Sequence, residues 1–248
     1  MKTLIPVVLA ACLLAVSSVG HCASIDKDVG QAWLRASIVL DATGKLTSIE
    51  WLDAKPNDRL VTKPLEAVVR GWDFEPGKRD GVPVVTRTGL SLHVKVEKAA
   101  DGGLALNIEE ASTGIINQML SPPAYPLDQA KRGASAYVLL SLETDENGKV
   151  ATASVTGYES SSTSSTSRED FEAAARKAAY SWTYLPENVG GTRLRAKVDV
   201  PITFCIDSWC SKRERRLAAS GKPVVPSGTS LALDSAVKII SRSTHVEI

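Results

Sequence analysis

A chain of 248 residues with 44% hydrophobic and 23% charged residues is long enough for one or two globular domains and ordinary in composition. Its 29 Lys and Arg against 28 Asp and Glu leave a formal charge of +1, which excludes the basic excess that nucleic-acid binding requires. Four cysteines and three histidines occur without the spacing of a four-ligand zinc site, so neither metal nor cofactor is expected.

Met1-Lys2, an apolar run over residues 4–16 and the small residues 17–20 follow the order of a secretory signal, assigned to residues 1–23. The run falls short of the roughly 20 residues of a membrane span. Leu9-Ala-Ala-Cys12 also fits a bacterial lipobox, and an uncleaved anchor is the other alternative.

Two stretches, 36–94 and 135–204, then follow one plan. In the first, Ala36, Ile38 and Leu40 alternate as a half-buried strand, and Asp41-Ala-Thr-Gly44-Lys45 turns the chain back. Pro64 suits a first helical position, and Val61, Leu65, Val68 and Trp72 form a helical stripe. Trp72-Asp-Phe-Glu-Pro76 and Gly81 lead to a long strand with Val84, Thr86, Thr88, Leu90, Leu92 and Val94 on one face. Residues 99–120 read as a linker, with a turn at Gly102-Gly103 and a short helix over 115–120.

The second copy is introduced by Ser121-Pro-Pro-Ala-Tyr125-Pro126. Its turn is Asp145-Glu-Asn-Gly148-Lys149, its stripe Phe171, Ala175, Ala178 and Trp182, and its closing step Trp182-Thr-Tyr184-Leu-Pro186 with Gly191. Ser167-Arg-Glu-Asp170 resembles a capping box, and the Ser/Thr-rich residues 158–166 read as a mobile loop. One strand is expected over 193–204. Each copy is therefore β-β-α-β, and the chain is α+β: two tandem antiparallel sheets, each with one helix on one face, at 33–98 and 121–210. A repeat of this length in two copies is a duplicated small domain rather than a solenoid.

Beyond the second copy, Cys205 and Cys210 read as a local disulfide in an oxidising compartment. Residues 211–248 form a basic tail that either covers a sheet edge or trails off.

No nucleophile elbow, zincin motif or phosphate loop is present, and no catalytic residues are expected. Asp41 and Asp145 are explained by turns, Trp72 and Trp182 by the core, and His93 by a solvated strand face. Trp209, between the cysteines, packs under the loop or faces a partner. Pro201 places the last strand at a sheet edge, because proline gives no ladder donor. An exposed edge is covered or used, and its common use is addition of an extended peptide as a further strand.

The order Pro123-Ala-Tyr125-Pro126, Ala130-x-x-Gly133, Asp145-x-x-Gly148-Lys149-Val150, Trp182-x-Tyr184-x-Pro186, Gly191 and Val200-Pro201-Ile202-x-Phe204 resembles the carboxy-terminal domain of TonB energy transducers. The first copy looks like a degenerate version without the Tyr-Pro lead-in. The resemblance implies a periplasmic domain that pairs its last strand with an extended segment of an outer-membrane receptor. It makes Tyr125, Pro126, Arg193, Arg195, Lys197, Asp199 and Pro201 the partner-binding residues. A homodimer through open edges is an alternative use of the same strands. Full transducers keep a membrane helix and a long spacer, whereas about ten residues here separate the signal from the first strand and reach roughly 35 Å. The sequence therefore favours a soluble periplasmic binding module over a membrane-anchored transducer.

Overall fold

The computed structural model describes residues 29–52, 59–98, 104–222 and 224–247; the signal segment and the Gly102-Gly103 turn lie outside them. Among the described residues, no helix is long and apolar enough to cross a membrane.

Strand β1 (Val29–Leu40) turns at Asp41 into β2 (Leu46–Trp51). Asp41 builds the turn, its Oδ1 accepting from the amides of Thr43 (2.8 Å) and Lys45 (3.0 Å). The Thr43 hydroxyl, which donates to the same oxygen, leads the bonds that hold the Asp41 carboxyl below its usual range. Helix α1 (Arg59–Arg70) buries Leu65 and Val69 and contains Pro64 in its interior, not at its first position. The carbonyl that loses a partner belongs to Leu60, which is 79% exposed, so water can serve it. Then come β3 (Asp73–Glu75), a small hairpin of β4 (Lys78–Arg79) and β5 (Val82–Pro83), and β6 (Thr86–Lys98). The strand expected from Val84 starts after it, at Thr86. β6 runs antiparallel to β1 from Val29↔Glu97 to Leu40↔Thr86. Ile38, Leu40, Leu65, Trp72, Leu90 and Leu92 share one core.

The stretch read as a linker is strand instead. β7 (Leu104–Gly114) extends the first sheet along β6, and β8 (Ile116–Met119) replaces the expected short helix. Leu106 and Ile108 are buried at period two, and the outer edge of β6 supplies the hydrogen bonds that a strand requires.

The second unit runs α2 (Leu127–Lys131), β9 (Ala136–Thr144), β10 (Val150–Ser160), α3 (Ser165–Ala179), β11 (Thr183–Leu185), β12 (Asn188–Val189), β13 (Thr192–Arg193) and β14 (Ala196–Phe204). After α2 the order repeats that of the first unit. Correspondence reaches single contacts. Asp145 Oδ1 accepts from Asn147 N (2.9 Å) and Lys149 N (2.8 Å) as Asp41 does in its turn. Trp182 Nε1 donates to Ser121 O (2.8 Å), and Trp72 Nε1 to Ser243 O (3.1 Å). Phe171, Trp182, Tyr184, Val200 and Phe204 fill the second core.

Three local expectations change. Most of the Ser-rich segment is regular structure, because it prolongs β10 and opens α3, and Ser160 Oγ donates to Ser135 O (2.8 Å). α3 starts at Ser165, so Ser167 and Asp170 form no capping box; Ser167 is buried and Asp170 accepts from Gln129 Nε2 (2.8 Å). His93 is not solvated: its ring stacks on Trp33 at 4.7 Å and its Nδ1 lies 3.3 Å from a Glu109 carboxylate oxygen.

The tail is not a free basic extension. Cys205 and Cys210 are bridged, and α4 (Trp209–Ala219) lays Arg213 over the Tyr137 ring at 3.6 Å and against Glu159. Trp209 is half-buried at the start of that helix. β15 (Leu231–Ala232) then joins β14, β16 (Lys238–Ser241) joins β3, and β17 (His245–Glu247) joins β7. Val237 is buried in the first core, so the tail straps the two units together.

Candidate site on the edge of the last strand

β14 pairs along its whole length with β9, from Ala196↔Thr144 to Phe204↔Ala136. Alternation sends Ala196, Val198, Val200, Ile202 and Phe204 into the core. The backbone groups of Lys197, Pro201 and Thr203 face the outer edge, where their hydrogen bonds go to the tail. Pro201 brings no amide to that edge, which is the sequence signal that placed β14 on the outside.

The edge is occupied, not open. Leu233 N donates to Lys197 O (3.0 Å), and Gly228 N to Pro201 O (2.7 Å). Lys197 N is taken by Asp234 Oδ1 (2.9 Å) and Thr203 N by Ser227 Oγ (3.0 Å), both side-chain acceptors. Regular ladder exists at two positions, Val198↔Ala232 and Asp199↔Leu231. Of the two alternatives for the tail, covering the edge is the one realised. The other terminal strand of this sheet is β10, whose pairing with β9 shifts register after Val150 and after Val155. Bulges of that kind discourage edge-to-edge association.

The residues named from sequence are not all brought together. Lys197, Asp199 and Pro201 lie on the edge itself. Lys197 is exposed and 3.2 Å from Glu143, and Pro201 is buried. One oxygen of Asp199, Oδ1, is buried without a hydrogen-bond partner among the described residues. Arg195 is exposed and pairs with Glu146 (2.7 Å), at the turn end of the sheet. Arg193 is not part of the strand: the chain breaks between β13 and β14, and Arg193 pairs with Asn188 in a hairpin. That hairpin extends the first unit's sheet through Asn188↔Arg87 and Val189↔Thr86, so Arg193 belongs to the junction between units.

Tyr125 and Pro126 serve the core first. The Tyr125 ring meets Phe171 and Phe204 edge-on at 5.7 Å and 5.6 Å, and its hydroxyl donates to Ala134 O. Burial pushes the phenol above its usual range. Pro126 caps the start of α2 without a donor to lose. Tyr125→Phe should cost about 1 kcal/mol, the net value of one hydrogen bond, read as a lower denaturation midpoint. An unchanged midpoint would show that the hydroxyl finds equal partners in the unfolded chain.

Beyond the two ladder positions a cleft of about 770 Å³ opens between the units. Trp33 and Arg35 of β1, Tyr125, and the β14 end at Thr203 and Phe204 face tail residues 224–230 across it. Arg35 Nη1 donates to Asn117 O (2.9 Å), tying β1 to β8 at the cleft wall.

Sequence reasoning missed Glu187. Its side chain is 2% exposed and sits where three parts of the chain meet. Oε1 accepts from the Thr88 hydroxyl of β6 (2.6 Å) and from the Ser235 hydroxyl of the tail (3.0 Å), and Oε2 accepts from Ala236 N (2.9 Å). Glutamate follows the Trp-x-x-x-Pro step in the second copy where glycine, Gly77, follows it in the first, and that difference was the available signal.

Among the described residues no group of His, Cys, Asp and Glu could hold a metal. The site is a strand edge whose backbone donors and acceptors at Lys197, Pro201 and Thr203 are held by the tail, beside a cleft lined by Trp33, Tyr125 and Phe204. Residues 121–206 match the family model described as Gram-negative bacterial TonB protein C-terminal. Two curated relatives, both named Protein TonB, come from Xanthomonas campestris pv. campestris strains B100 and ATCC 33913. Each is 30% identical over 97 residues, which is 39% of this chain and 40% of the relative. The chain thus spans less than half the length of these relatives.

Proposed function

We propose, on the premise that residues 121–206 are a TonB carboxy-terminal domain, that the protein is a periplasmic module recognising extended peptide segments by adding them as a strand to β14. Proteins of this family take part in outer-membrane transport as energy transducers, without enzymatic activity, and interact with outer-membrane receptors. Such receptors are the partners we propose here. The observation that carries the reading is the outer edge of β14. Its polar groups at Lys197, Pro201 and Thr203 are met by single bonds, two of them from side chains, and not by a continuous strand. The first unit, whose last strand is fully paired, serves as a scaffold.

A photo-activated cross-linking residue at position 203, in the full chain in cells, tests this. The expected products join β14 to segments of outer-membrane receptors. Receptor products obtained equally from position 143, on the interior strand β9, would overturn the assignment of the edge. The anchored-transducer reading draws on the two relatives named Protein TonB. Sequencing the amino terminus of the mature protein separates the two readings, since a start near residues 21–24 removes the anchor.

A further inference from the structure

We infer that tail residues 226–234 are a built-in stand-in for the partner segment, holding the edge of β14 until an extended peptide of similar chemistry displaces them. This rests on the strand-addition reading above.

The two units supply their own comparison. Leu40↔Thr86 and Thr144↔Ala196 stand at equivalent places, each next to the turn aspartate, so Gly89 corresponds to Asp199 and Ser91 to Pro201. In the first unit the outer edge of the last strand carries β7 at ten registered positions, Gly89↔Gly114 through Lys98↔Leu104. In the second unit the same slot holds two registered positions and a few single bonds. β7 shows what a strand seated in this slot looks like, and the tail falls well short of it. Backbone groups satisfied by isolated bonds exchange partners at lower cost than a cooperative ladder.

The strap is also built to lift locally. On one side it is held by the disulfide and by Arg213 and Arg216 on Glu159. On the other it is held by Glu187 at Ala236 and by buried Val237. Neither anchor lies within 226–234. Tethering at both ends gives the segment a high effective concentration at the edge, so a free peptide meets a competitor that is always present.

The seated segment also defines the partner's chemistry. Ser227-Gly-Thr-Ser-Leu-Ala-Leu-Asp234 turns at Ser227-Gly228, is strand at Leu231-Ala232 and bends at Leu233-Asp234; it is uncharged until its last residue, and that acidic residue takes the Lys197 amide. A partner should be an extended segment of small, hydroxyl-bearing and aliphatic residues ending in a carboxylate.

The test uses the full mature chain and a fluorescent peptide copying residues 226–235. In Ser227→Ala/Asp234→Ala, two acceptors are lost from the tail, and the peptide should bind about tenfold more tightly than to the unaltered chain. Gly228→Pro, which removes the donor to Pro201 O and forbids the φ of +83° found there, should show at least the same gain. Hydrogen exchange locates the event: the amides of Lys197 and Thr203 should exchange faster in both variants and be protected again by the peptide. Equal affinity for the unaltered chain and both variants, with protection at β14, would overturn the stand-in and leave strand addition intact. No binding to the variants, despite fast exchange at Lys197 and Thr203, would overturn both.

Discussion

Replacing Gly148 with alanine should lower the stability of the chain by about 3 kcal/mol, a fall in melting temperature of roughly 6–12 °C for a protein of this size. Two costs add. Gly148 has φ +77°, where an L side chain pays for the left-handed region, and a Cβ there would lie 2.0 Å from the carbonyl oxygen of Tyr184. That oxygen is backbone and cannot swing aside. Gly44 is the same case, with φ +85° and a Cβ 2.0 Å from Phe74 O, so Gly44→Ala should behave alike. Gly191→Ala is the control. Its φ is +89°, but nothing lies within 4 Å of its Cβ, so it should lose about 1 kcal/mol, the conformational cost alone. Thermal unfolding of the three variants decides it, and equal losses at 148 and 191 would remove the close approach from the explanation.

Glu187→Ala should destabilise the protein by roughly 3 kcal/mol and free the strap as well. The substitution leaves the Thr88 hydroxyl, the Ser235 hydroxyl and the Ala236 amide without the acceptor they share. Glu187→Gln should recover about half of that. It keeps one oxygen in place, but it sets an amide NH2 against either the hydroxyls or the Ala236 N–H. Thermal unfolding gives the magnitude, and faster hydrogen exchange at Ala236 and Val237 in the alanine variant marks the strap. A glutamine variant as unstable as alanine would mean that charge, not hydrogen-bond geometry, holds this junction.

These two sites show unequally in the sequence. Gly148 is visible because its chemistry is local: an aspartate, a glycine and a lysine at fixed spacing specify a turn, and the motif occurs twice. Glu187 is invisible because its three partners lie 99, 48 and 49 residues away. The same division holds for the proposed site. Pro201 marks by itself a side of β14 that cannot carry a full ladder, since a proline has no N–H to donate there; that the tail's β15 lies on that side was not readable. The exclusion of Arg193 was not readable, because the break between β13 and β14 comes from a hairpin that leaves its own sheet to join the other unit's.

By itself the sequence determined the two β-β-α-β units, the core residues that lie within them, the aspartate turns and the family resemblance of the second unit. All of these follow from periodicity and turn chemistry within a few residues. It did not determine Leu106, Ile108, Ile115 and Val237, which join the cores from the stretches read as linker and tail. Only the tertiary structure decided which segment covers each last strand. β7 fills the slot on β6 and the tail lies on β14, because unpaired edges are satisfied by whichever strand the fold brings alongside, at any distance along the chain. That choice leaves the first unit's edge closed by a ten-position ladder and the second unit's edge held by two ladder positions and single bonds.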